Sequence, residues 1–337
     1  MNPFVRIGQR KRKGPNPLRL VTSALATSVG AWVLYSNTQI NHNVPLADAI
    51  PANRESFNSP SAGRLSYYVD RAGSGRPLLL LHSINAAASA YEMRPLFQAF
   101  RGKRPVYALD WSGYGFSERA DRAYSPQFFQ DALAEFMAAQ FREPIDVIAL
   151  SLGCEFAARA AFEHADLFRS LVFISPSGLN RRQAGSGSLK AQNAGISDTV
   201  YSVFSFPLWG RPLFDLIATR KSIEYFLRKS FVGPVPEEMI DYAYATAHQP
   251  GAEYVPLHFL SGKLFTRDIA QRVYPALQTP TLVIYDRDAY TRFDALPDVL
   301  EANAKWRACK VEPSLGLPHW EQLDATINCL RQFWDGR

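Results

Sequence analysis

The stretch Val147-Ile148-Ala149-Leu150-Ser151-Leu152-Gly153-Cys154 constrains this chain more than any other. A mostly apolar run from Ile145 to Leu150 ends in a serine, and a helical pattern follows from Glu155 to Ala165. A strand, a sharp bend with serine at its apex and then a helix present a hydroxyl as a nucleophile. The bend is tight, so the positions two before and two after the serine must be small. They are Ala149 and Gly153.

The remaining segments supply a frame for that bend. Leu65–Val69 alternates and reads as a strand. Pro77–Leu81 and Pro105–Leu109 are continuous apolar runs, as expected of parallel strands buried on both faces. The first ends at His82-Ser83-Ile84-Asn85, the second at Asp110-Trp-Ser-Gly113-Tyr-Gly115-Phe-Ser117. Ser89–Phe100 is helix-like, and Phe129, Leu133, Phe136 and Met137 mark one face of a helix over Pro126–Gln140. Further strands are expected at Leu171–Ile174, Thr281–Tyr285 and Lys310-Val311, with a last helix carrying Leu323, Ile327, Leu330 and Trp334. Strands alternating with helices imply an α/β fold, a mostly parallel sheet with helices on both faces. The alternation stops between Leu179 and about Pro275, in a stretch rich in aromatics that reads as helices separated by Pro/Gly loops. Most of those rings must form a small core of their own; a few are expected to line an apolar pocket above the strand ends.

Charge adds little to the function. Lys plus Arg number 37 against 31 acids, but Arg6, Arg10, Lys11, Arg12, Lys13 and Arg19 lie in a stretch without an acid. The body beyond it is balanced, which argues against a surface that tracks nucleic acid. The three cysteines, Cys154, Cys309 and Cys329, form no CxxC or Cys/His cluster. Their odd number argues against a disulfide framework and a structural zinc site. Leu20–Tyr35 is uncharged and follows the basic run. It is slightly short for a membrane span, which takes about 20 apolar residues, yet the charges before it favour a membrane anchor with the body outside the cytoplasm. A cleaved signal segment and a buried helix are the alternatives. The expected organisation is a tail and anchor or signal segment over 1–40, a linker over 41–62, a core over 63–178 and 276–337, and a helical cap over 179–275.

Taken in order, His82-Ser83, the Asp110–Ser117 segment, the bend at Ser151 and late Asp and His loops resemble the α/β-hydrolase superfamily over about residues 64–335. The resemblance implies an eight-stranded sheet, a helical cap and a Ser–acid–His triad acting on an ester or related acyl bond. It implies a small apolar acyl or ester substrate and neither a metal nor an organic cofactor. Ser151 would be the nucleophile, with the N–H groups of Leu152 and Ile84 as oxyanion donors. Ser83 stands where the family has glycine before the second donor. Asn85 is either a polar neighbour of that donor or an Asx-turn residue. Asp288 is the first choice for the acid, ahead of Asp286 and Asp294. Two alignments exist for the base. One makes His319 the base through a loop of altered length. The other puts Gly316 where the catalytic His normally sits, and His319 then matches a non-catalytic histidine three positions later. His42, His82, His164, His248 and His258 are worse placed. A Ser at the apex argues against haloalkane dehalogenation, which needs a carboxylate there. C–C bond hydrolysis, perhydrolysis, or a non-catalytic membrane-tethered binding protein would share the scaffold.

Overall fold

A computed structural model describes the backbone of residues 17–181 and 194–336; most of the basic tail and residues 182–193 of the expected cap lie outside the described residues. Residues Met1–Ile40 and Asn41–Arg337 form separate units. The first contains α1 (Pro17–Gln39). Among the described residues no helix is long and apolar enough to cross a membrane, so the expected membrane anchor is not supported.

The second unit is built on eight strands: β1 (Asn53–Ser59), β2 (Gly63–Asp70), β3 (Leu78–Leu81), β4 (Val106–Leu109), β5 (Ile145–Leu150), β6 (Phe168–Ile174), β7 (Thr281–Tyr285) and β8 (Trp306–Lys310). Their order across the sheet is β1-β2-β4-β3-β5-β6-β7-β8. The β1–β2 and β2–β4 pairs are antiparallel and the rest parallel. β1 falls inside the stretch expected to be a linker. It is an edge strand of sequence NRESFNS with no apolar alternation to betray it, held by its ladder to β2.

Successive side chains of a strand point to opposite faces, and the core divides accordingly. Leu79, Leu81, Val147, Ala149, Leu171 and Phe173 pack on one face against α3 (Pro126–Gln140) and α4 (Gly153–Glu163), through Phe129, Leu133 and Phe156. Leu78, Leu80, Ile148, Leu150, Val172 and Ile174 face the other side. There they meet α2 (Arg94–Phe100) and, at the chain's end, Leu330 and Phe333. Ser125 starts α3 by accepting a hydrogen bond from the Phe128 N–H, with Pro126 in the first turn, where its missing N–H costs nothing.

Between β6 and β7 come α5 (Ala194–Phe204), α6 (Gly210–Ile217), α7 (Arg220–Arg228), α8 (Glu237–Ala247), α9 (Tyr254–Leu260) and α10 (Ile269–Arg272). Phe214, Ile223, Ile240 and Ala247 form a core of their own there. After β7 come α11 (Leu296–Ala302), α12 (Pro318–Glu321) and α13 (Leu323–Asp335).

The cysteines correct the sequence reading. Cys309 on β8 and Cys329 on α13 form a disulfide with Cα atoms 6.2 Å apart, leaving Cys154 as the buried free thiol. An odd count says nothing about whether two of three cysteines meet; strand and helix packing decides that.

Candidate active site

The bend after β5 holds Ser151 at φ +52°, in the left-handed region that non-glycine residues seldom adopt. Such strain persists where the surroundings over-determine it. Here the Ser151 N–H donates to the Ile174 carbonyl at 2.9 Å, and the Ser151 carbonyl accepts from the N–H groups of Cys154 (3.1 Å) and Ser177 (3.4 Å). The hydroxyl faces a cavity of about 980 Å³ whose wall also contains Leu152, Ile84, Asp288 and Gly316. Among the described residues neither the Leu152 nor the Ile84 N–H donates to any protein acceptor. Both sit in the cavity wall with Ser151, as a pair of oxyanion donors must.

Ser83 does not need glycine's freedom, since its φ is not positive. Its N–H and hydroxyl donate to Glu92 at 2.8 and 3.0 Å, and Asn85 Nδ2 donates to the same carboxylate at 3.0 Å. Asn85 Oδ1 accepts from the Ala87 N–H at 2.7 Å, an Asx turn. Glu92 therefore braces the loop that carries the Ile84 N–H. Sequence reasoning missed it, and no local signal marks it: it lies in a short 3₁₀ turn, Ala90–Met93, away from any motif. Burial raises its carboxyl pKa, opposed by these hydrogen bonds.

The three acids of the β7 loop separate cleanly. Asp286 is buried and accepts from the Ser314 N–H at 3.0 Å. Asp294 accepts from the Arg181 N–H and pairs with Arg292 at 3.2 Å. Asp288 lines the cavity. Its Oδ1 takes the N–H groups of Tyr290 (2.5 Å) and Thr291 (3.1 Å). Its Oδ2 points at residue 316, only 2.8 Å from where a Cβ on that glycine would stand.

His319 sits elsewhere. It is fully buried, outside the cavity wall, and its Nε2–H donates to the Glu92 carbonyl at 2.8 Å. The Trp320 indole N–H donates to the same oxygen at 2.7 Å. Among the described residues Nδ1 has no partner, and burial lowers the ring's pKa to about 4. His82 is likewise neutral, its pKa lowered by burial to about 3. Its Nδ1–H donates to the Ser83 carbonyl and its Nε2 accepts from the Trp111 N–H. The structure thus brings Ser151, Asp288 and Gly316 to one cavity and uses His319 to pin the last loop onto Glu92.

From the inserted helices Phe226 and Tyr242 reach the cavity, whereas Phe214 fills their own core and Phe206, Trp209 and Tyr225 are exposed. Glu155, in the first turn of α4, also lines the cavity. It accepts from the Ser177 hydroxyl at 2.5 Å and the Thr266 N–H at 2.7 Å. Burial raises its pKa to about 7. The folded state therefore holds a proton that the unfolded chain releases at ordinary carboxyl pH, and this group's contribution to stability falls as pH rises from about 4.5 to about 7. Glu155→Gln is expected to flatten the pH dependence of the urea midpoint over that range, by on the order of 3 kcal/mol. A slope unchanged by the substitution would refute this. Among the described residues no group of three His, Cys, Asp or Glu is placed to hold a metal ion.

A model described as the alpha/beta hydrolase family matches residues 78–328. A 2-(acetamidomethylene)succinate hydrolase of Mesorhizobium japonicum is 29% identical over 112 residues, 33% of this chain and 40% of that protein. The alignment thus spans well under half of that relative. Among solved structures, a serine hydrolase involved in carbazole degradation superposes with a TM-score of 0.67 at 16% identity, covering 85% of this chain and 99% of that one. A bacterial membrane phospholipase A gives 0.65 at 18% identity, covering 95% and 96%.

Proposed function

The chain belongs to the alpha/beta hydrolase family, and from that premise we propose that it acts on an ester or related acyl bond with Ser151 as nucleophile. The observation that carries this reading is the left-handed backbone of Ser151 in a cavity wall shared with the unengaged Leu152 and Ile84 N–H groups. In this reading Ser151 Oγ attacks the acyl carbon and the two N–H groups take the charge that develops on its oxygen. The serine's proton passes through a base to the leaving group, and water then releases the acyl chain. Ile223 and Phe226 offer the acyl group an apolar wall. Asp288 is the acid of the constellation: its Oδ2 faces the place where a base would receive that proton. His319 would have to leave the Glu92 carbonyl to serve there, and a pKa of about 4 makes it a weak acceptor at neutral pH.

A fluorophosphonate probe tests the reading. Wild-type protein is expected to label slowly, over hours at pH 8, and Ser151→Ala is expected not to label at all. A second reading, binding without turnover, is favoured by Gly316 beside Asp288. It requires that wild type stay unlabelled while amide analogues of the esters still bind in the cavity.

A further inference from the structure

We infer that the part of the cavity wall made by Asp288 and Gly316 receives a protonatable nitrogen belonging to the ligand, an amine or imidazole, which takes the proton of Ser151. The inference rests on the reading of Ser151 as nucleophile. Four observations carry it. The Oδ2 atom of Asp288 accepts no hydrogen bond and pairs with no Lys, Arg or His among the described residues, whereas Oδ1 is saturated by two N–H groups. The two fully buried acids of the same wall are already satisfied: Glu92 by Ser83 and Asn85, Glu155 by Ser177 and Thr266. The backbone of Gly316 is not left-handed, so glycine is not demanded there by conformation; what its missing side chain does is bare Asp288 to the cavity. Finally, Ser230 Oγ lies 3.4 Å from the Cβ position of residue 316, a second polar atom at the same spot.

Asp288 is half-buried in the cavity wall, and a ligand N–H group set against its free Oδ2 makes a charge-assisted hydrogen bond there. A nitrogen held against Oδ2 also occupies the role of the imidazole in a triad, its tautomer and cationic form stabilised by the acid. The proton balance closes within the complex. As Ser151 Oγ bonds to the acyl carbon, its proton moves to the ligand nitrogen. The nitrogen returns it to the departing alkoxide. A water proton follows the same route during deacylation and ends on Ser151.

The test uses the intact protein, a fluorophosphonate probe and imidazole as the nitrogen. The Oγ–P bond forms, fluoride leaves, and imidazole keeps the serine proton. Imidazole is expected to accelerate labelling of wild type about 100-fold, with saturation, and with a rise through the pH range in which imidazole loses its proton. Asp288→Asn is expected to cut the acceleration at least tenfold and to weaken imidazole binding seen by saturation-transfer NMR. Gly316→His, carrying its own ring, is expected to respond little. Thermal melts show that each variant is folded, and Ser230→Ala offers a milder second perturbation of the same spot. Ser151-dependent labelling that ignores imidazole, or responds equally in Asp288→Asn, overturns the inference and leaves the nucleophile reading standing. Absence of labelling with and without imidazole overturns both.

Discussion

Gly316→His is expected to raise hydrolysis of a short-chain p-nitrophenyl ester by about 10²–10⁴-fold, the usual contribution of a positioned general base. The expectation follows from three features of the loop after β8. Gly316 has no left-handed φ, so an L side chain is conformationally admissible. A Cβ there would stand 2.8 Å from Asp288 Oδ2, the oxygen without a hydrogen bond, so an imidazole at 316 emerges beside the acid that would orient it. The cavity that receives the ring also contains Ser151. Crowding opposes the gain. The carboxylate must yield by several tenths of an ångström, although its Oδ1 is held by Tyr290 and Thr291, while Ser230 at 3.4 Å stays in ordinary contact. The increase must vanish in Ser151→Ala/Gly316→His and fall at least tenfold in Asp288→Asn/Gly316→His, because Asp288 holds the tautomer. The installed ring should also introduce a pH–rate inflection near the ordinary histidine range of about 6.5. A folded Gly316→His protein with the wild-type rate would sink the assignment of position 316 as the place of the base. Unlike a loss of activity, the expected gain cannot come from unfolding.

That position shows where sequence reasoning ran out. Leu-Gly-Leu-Pro-His-Trp-Glu admits two alignments, one making His319 the base and one putting Gly316 in its place. Only coordinates show that Asp288 Oδ2 faces residue 316 while His319 Nε2 donates to Glu92. Periodicity carries no information about which of two residues three apart turns toward a cavity. By contrast the buried strands were legible, because a strand covered on both faces must be apolar at every position, as in Leu78–Leu81. β1 was not, because an edge strand satisfies its backbone through one neighbour and leaves its side chains free to be polar. Glu92 was invisible for another reason. Its work is done by a carbonyl holding His319 and Trp320 and by a carboxylate holding Ser83 and Asn85, partners up to 228 positions away. The bend itself was legible because its constraint is local and steric.

That steric constraint gives the second large effect: Gly153→Ala is expected to destabilise the protein by about 3 kcal/mol, the upper end of ordinary overpacking, and to slow fluorophosphonate labelling of Ser151. A Cβ on Gly153 would lie 2.6 Å from the carbonyl oxygen of His82, a backbone atom rather than the end of a pliable side chain. His82 has little room to retreat. Its carbonyl accepts from the Trp111 indole N–H at 3.0 Å, its ring nitrogens are engaged by the Trp111 N–H and the Ser83 carbonyl, and the residue is wholly buried. The first turn of α4 must therefore move away from the end of β3. Leu152 precedes that turn and Ile84 lies two residues beyond His82, so the displacement separates the two N–H groups that would share the oxyanion. Ala149→Gly supplies the contrast on the other side of the serine. It removes a buried methyl from β5 and is expected to cost about 1 kcal/mol through lost burial and added chain entropy, with labelling nearly unchanged. Urea midpoints and labelling rates of the two variants, measured together, decide the matter. If Gly153→Ala unfolds within 0.5 kcal/mol of wild type, on the scale of an inconsequential substitution at about that size, then the close approach of α4 to His82 is not what shapes the bend.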